Sequence, residues 1–127
     1  MLLDTSALLL LYEGVDPLQA IEDLLQGRVE FYTLDAVVKE LRSLAERVGS
    51  RKGRAARLAL QHIVSSGAVK TIETGFAGLA DEAIVKFASL HKDFIVVTLD
   101  EELRRRLKEL GVRVLTWWFG RRRFSAG

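Results

Sequence analysis

The chain predicts an α/β fold: three layers, α/β/α, around a central parallel sheet of about five strands. Three observations lead there. Short apolar runs alternate with segments of helical period along the whole chain, the pattern of parallel strands joined by right-handed crossovers. The run Phe94-Ile95-Val96-Val97 has no polar alternation, as expected of a central strand covered on both faces. Two strand-like runs end on a carboxylate, Met1-Leu2-Leu3 at Asp4 and residues 94–99 at Asp100. Ligands of open parallel sheets bind outside the carboxyl ends of the strands, where strand order reverses. If these two strands are neighbours, their acids meet in that crevice.

The elements follow in order. After Asp4, residues 5–13 read as a short helix ending near Gly14. Asp16-Pro17 reads as an N-cap followed by a proline at the first helical position. Leu18, Ile21, Leu24 and Leu25 form the apolar stripe of that helix, and Gly27 ends it. Residues 29–33 predict a strand. Residues 34–48 predict a helix with Val37, Val38, Leu41, Leu44 and Ala45 on one face. Gly49-Ser50 breaks it, and a second helix covers 51–64. A strand at 68–73, a glycine-rich turn at 75–78, and a helix at 79–91 come next, with Ile84, Phe87, Ala88 and Leu90 as its buried face. The strand 94–98, a helix from Asp100 to Gly111 and a last strand at 112–116 complete a domain over 1–116. Residues 117–127 form a tail rich in arginine and aromatic residues.

Composition narrows the chemistry. The 127 residues, 49% hydrophobic and 28% charged, suffice for one domain with a real core. No apolar run is long enough to span a bilayer, and Asp4 follows the start too closely for a signal peptide. Cysteine is absent, which excludes disulfides and thiolate metal sites, and histidine occurs only twice, which argues against a His-rich zinc site. These features fit a cytoplasmic protein. The lack of asparagine and the single methionine, beside abundant Arg, Lys and Glu, suggest a heat-adapted source. Any metal would be held by oxygen, which points to Mg²⁺ or Mn²⁺.

The net charge is only +2, but the cations are clustered. Arg42, Arg47, Arg51, Lys52, Arg54 and Arg57 crowd one segment, Arg104, Arg105 and Arg106 a second, and Arg121, Arg122 and Arg123 a third. Solvated helix faces explain any one cluster; three in so short a chain favour a polyanionic partner. Trp117, Trp118 and Phe124 would either stack unpaired bases or pack against the domain body or a second copy.

Two further acids stand out. Glu40 borders the apolar face of its helix, and Asp81 opens the helix that follows the glycine turn. Each acid has a plainer use. Asp4, Asp81 and Asp100 would serve as helix N-caps, and Glu40 as a solvated edge residue.

Together these segments resemble the PIN domain, a family of metal-dependent nucleases. Leu3-Asp4-Thr5-Ser6-Ala7-Leu8-Leu9, Val37-Val38-Lys39-Glu40-Leu41, Ala80-Asp81-Glu82-Ala83-Ile84 and Val96-Val97-Thr98-Leu99-Asp100-Glu101-Glu102-Leu103 resemble its four acidic motifs, in order. The resemblance implies a Rossmann-like sheet and a catalytic, metal-holding set of Asp4, Glu40, Asp81 and Asp100. It implies supporting roles for Ser6 in ordering water, for Thr98 in orienting the neighbouring acid, and for Glu101 as an additional acid. Leu99 stands where the family often has asparagine, leaving the number of Mg²⁺ or Mn²⁺ ions open at one or two. The implied activity is endoribonuclease cleavage, with Arg51, Lys52, Arg54, Arg104, Arg121 and Arg122 holding RNA. The closest implied role is rRNA processing, with a ribosome-assembly partner. The alternative is a VapC-type toxin with its antitoxin, and a non-catalytic RNA-binding module is a third reading. A homodimer is an expectation from the family.

Overall fold

The computed structural model describes all of residues 1–127. Six strands and six helices alternate: β1 Leu2–Leu3, α1 Thr5–Leu8, α2 Pro17–Leu25, β2 Tyr32–Leu34, α3 Asp35–Ala45, α4 Arg51–Ala59, β3 Lys70–Ile72, α5 Ala80–Leu90, β4 Val96–Val97, α6 Glu101–Glu109, β5 Val114–Trp118 and β6 Arg123–Ala126. A 3-10 turn, Leu9–Glu13, prolongs α1, and a π-type turn, Leu60–Val64, prolongs α4. No helix is long and apolar enough to cross a membrane.

The strands form one sheet in the order β3-β2-β1-β4-β5-β6. The first five are parallel; β6 runs antiparallel to β5. From β1 the chain steps outward through β2 to β3, then returns to β4 and steps outward the other way. Strand order therefore reverses between β1 and β4. These two strands are direct neighbours, with Leu2 opposite Val96 and Leu3 opposite Val97. Right-handed crossovers in the two senses put helices on both faces, as the alternation predicts.

Local chemistry explains most boundaries. Asp16 caps α2 by accepting from Leu18 N and Gln19 N, with Pro17 behind it. Ser50 caps α4 by accepting from Gly53 N at 2.9 Å. Gly53 is itself required there, because a Cβ would fall 2.2 Å from the Arg47 carbonyl oxygen. The apolar face of α3 buries Val37, Val38 and Leu41 as its period predicts. Both central strands are buried at every residue.

Three expectations change. The sheet has six strands rather than about five, and Leu90 is 71% exposed. Where a tail was expected at 117–127, the chain finishes β5, turns and forms β6. Phe124 is 1% exposed and meets the buried Trp117 ring edge-on at 5.1 Å. Strand alternation puts Trp117 inward and Trp118 outward. Leu90 lies at the end of α5 and lines an open groove with Phe76, Lys86 and Phe87.

Candidate active site

The crevice outside β1 and β4 is built first from hydrogen bonds. Asp4 N donates to Val97 O at 3.1 Å, so the end of β1 is stitched to the end of β4. The Asp4 carboxylate is buried, with 4% of the residue exposed. Its Oδ1 accepts from Ala7 N at 3.0 Å and from the Ser6 hydroxyl at 2.8 Å; its Oδ2 accepts from the Thr98 hydroxyl at 2.6 Å. Asp4 thus caps α1 and is aimed by Ser6 and Ala7 of that helix and by Thr98, just past β4. Ser6 Oγ also accepts from Leu99 N at 2.9 Å, and Thr98 Oγ1 from Asp100 N at 3.0 Å. Ser6 and Thr98 therefore clamp the two acid-bearing strand ends to each other.

The other three acids arrive from separate elements. Asp100 caps α6, its Oδ1 accepting from Leu103 N at 2.9 Å. Asp81 stands in the first turn of α5, whose N-cap is Leu79, so it is not a cap. Glu40 lies half-buried on α3. Burial of Asp81, then the charges of Asp100 and Glu40, push its pKa up, while Arg106 acts in the opposite sense. Asp4 is pushed from 3.8 to about 6, chiefly by burial; its three hydrogen bonds oppose the shift and Asp81 adds to it. The acids therefore feel one another across the crevice, and none of the four belongs to the protein's ion pairs.

The donor chemistry fits a hard divalent cation. As the side chains lie, no three acids are drawn together tightly enough to enclose an ion. Lone pairs remain for it. Asp4 Oδ2 has one of its two acceptor sites free, Asp100 uses only Oδ1, and Asp81 accepts no hydrogen bond. Oxygen donors with unbalanced negative charge are what Mg²⁺ and Mn²⁺ take.

The remaining predicted residues lie around this centre or away from it. Glu101 is almost fully solvated, 3.9 Å from Arg104. Arg51 pairs with Glu13 and lies over the Tyr12 ring, and Arg54 donates to the Tyr12 hydroxyl at 3.2 Å. Lys52, Arg121 and Arg122 are exposed. Arg104 stacks on Trp118, its guanidinium carbon 5.4 Å from the ring centre.

Two features escape a reading by motif. Arg106 holds Glu82 through two parallel bonds of 2.9 and 3.0 Å, which pins the first turn of α5 to α6 beside Asp81. The separation of 24 residues hides that pair in the sequence. Asp35 is a third strand-end acid, in a Thr33-Leu34-Asp35 run that repeats Thr98-Leu99-Asp100. It is consumed structurally: its carboxylate accepts from Thr74 N, Thr74 Oγ1, Gly75 N and Ala36 N. The repeat was visible; only the topology separates it from the crevice, since β2 is not at the reversal point.

A family model described as a PIN-like domain matches residues 1–118. Among solved structures, the chain is similar to that of the PIN domain endonuclease Utp24, with a TM-score of 0.77 and 23% sequence identity. The match covers 98% of this chain and 88% of that one, and at this identity it speaks to the fold. No curated protein matches in sequence.

Proposed function

The chain belongs to the PIN-like domain family, and from that premise we propose that it is a Mg²⁺- or Mn²⁺-dependent endoribonuclease acting in rRNA processing. One observation carries the reading. Asp4 and Asp100 stand at the neighbouring ends of β1 and β4, where strand order reverses, and the charges of Asp100 and Glu40 act on Asp81 as that of Asp81 acts on Asp4. Capping accounts for Asp4 and Asp100 but not for Asp81, which caps nothing and is repelled by its acidic neighbours. Such a cluster lowers stability unless a cation joins it.

The residues divide the work. Asp4 is the fixed point, because three hydrogen bonds leave its carboxylate one orientation. Ser6 and Thr98 position it and hold the β1 and β4 ends in register. Asp81, Asp100 and Glu40 approach on three different helices and supply the remaining oxygen donors. When bound, a divalent ion supplies Lewis acidity, making an attacking water more acidic and offsetting charge on the phosphate oxygens. Arg106 is kept from the acids by Glu82, which holds both ends of its guanidinium fork. The exposed cations at Lys52, Arg54, Arg121 and Arg122 would attract the RNA backbone in a salt-sensitive way.

The test is cleavage of structured and single-stranded RNA across a Mn²⁺ titration, wild type against Asp4→Asn. The reading expects metal-dependent internal cleavage by wild type only. Equal cleavage by both proteins, or none at any metal concentration, would sink it. Growth arrest on expression, relieved by a small protein encoded upstream, would move the role from rRNA processing to a VapC-type toxin.

A further inference from the structure

The β5–β6 hairpin places aromatic rings and arginines on the same edge of the sheet as the acids. Because β5 is parallel to β4, its carboxyl end points where Asp4 and Asp100 lie. Leu115 is level with Val97, and β5 runs three residues further, to Trp118. That is roughly 10 Å beyond the level of the β4 residue, and β5 is two strand spacings, again roughly 10 Å, from β1. The turn after Trp118 therefore stands up beside the crevice as a wall.

Its composition does not suit a passive turn. Trp118 is 38% and Phe119 56% exposed, while Trp117 and Phe124 supply the packing. Arg121, Arg122 and Arg123 are exposed and enter none of the protein's ion pairs. Arg122 has φ +51°, a left-handed conformation that glycine or asparagine adopts at less cost. Turn geometry alone does not call for arginine there. Arg104, stacked against Trp118, ties the wall to α6 one turn from Asp100.

We propose that this hairpin is a clamp for unpaired RNA: Trp118 and Phe119 stack bases of a single strand, and Arg121 and Arg122 hold its phosphates, feeding the strand to the acid crevice. The assignment deepens the nuclease reading and rests on it. Flat aromatic faces with adjacent guanidinium groups recognise splayed bases and the backbone between them. A duplex buries its base faces and would engage only the arginines. The clamp thereby selects single-stranded over paired substrate.

The test reads binding in EDTA, where no cleavage intervenes. Fluorescent single-stranded and duplex RNA of one length are titrated with the full chain and followed by anisotropy. Phe119→Ala and Trp118→Ala should each weaken single-strand binding about tenfold while leaving duplex binding within about twofold, and Trp118→Phe should restore most of the loss. Arg121→Ala with Arg122→Ala should weaken both RNAs and flatten the salt dependence by about one to two log units per log unit. Unchanged single-strand affinity in folded Phe119→Ala would overturn the clamp, as would equal losses on the two RNAs. A dimer that dissociates in Phe119→Ala with RNA affinity intact would assign the face to a second copy of the chain and likewise overturn it. If wild type binds as expected but cleaves nothing, the nuclease reading fails, and with it the feeding role, while single-strand binding by the hairpin stands.

Discussion

At the residue scale, the buried Asp4 carboxylate carries a cost in stability. Burial raises its pKa to about 6 from 3.8. A group raised on folding favours the folded state fully below its unfolded pKa, and that contribution is lost as pH rises through the folded one. Here the loss falls between about pH 4 and pH 6 and amounts to something on the order of 3 kcal/mol. Asp4→Asn removes the ionisation while keeping the shape. Measured by urea denaturation without metal, the variant is expected to be more stable than wild type at pH 8 and to depend less on pH than wild type between pH 4 and 6. A wild-type profile as flat as the variant's would contradict the assignment of cost to Asp4. Asp4 was legible in the sequence because an apolar run ends on it. The clamp of Ser6 and Thr98 on it was not, since it needs the 92-residue separation between those two to close in space.

The element scale shows how helices aim the acids. The first turn of α5 is held to α6 by Glu82 and Arg106, so Asp81 is presented to Asp100 while the nearest guanidinium is kept occupied. Glu82→Gln would release Arg106 toward Asp81, where it competes with a divalent ion. The Mn²⁺ concentration for half-maximal activity should rise several-fold, with little change in Tm because the pair is exposed; an unchanged metal requirement would remove this role. Elsewhere the joint between α3 and α4 depends on Gly53, whose added Cβ would meet the Arg47 and Leu44 carbonyls and the Ser50 hydroxyl. Gly53→Ala should therefore destabilise by about 1–3 kcal/mol in denaturant titration, although in an open helix interior the same change stabilises. Helix positions were readable from their 3.6-residue period and caps: 79–91 was expected and Ala80–Leu90 found. Strands were less so. β1 and β4 pair over two residues each, and their extent is set by the neighbouring strand rather than by their own sequence.

For the whole molecule, the reversal of strand order brings the strand end at Asp4 beside the one at Asp100, 96 positions later. Alternating strands and helices announced the parallel sheet, but β6 was hidden. Its residues read as a basic, aromatic tail, and the inward alternation of Trp117 and Phe124 becomes clear only once the chain turns back on β5. Phe124→Ala should cost about 3–5 kcal/mol, and ending the chain at residue 116 should lower Tm sharply, because both remove core. A truncated protein that melts with wild type would show the hairpin to be an appendage.

The central claim is that Asp4, Glu40, Asp81 and Asp100 form one cation site, and Mn²⁺ binding followed by electron paramagnetic resonance of the free ion tests it without reference to any RNA. Wild type should take up Mn²⁺ saturably, releasing protons near pH 6 as Asp4 ionises, and both Asp4→Asn and Asp81→Asn should abolish the uptake. Uptake unchanged in both variants, or none by wild type at millimolar Mn²⁺, would contradict it.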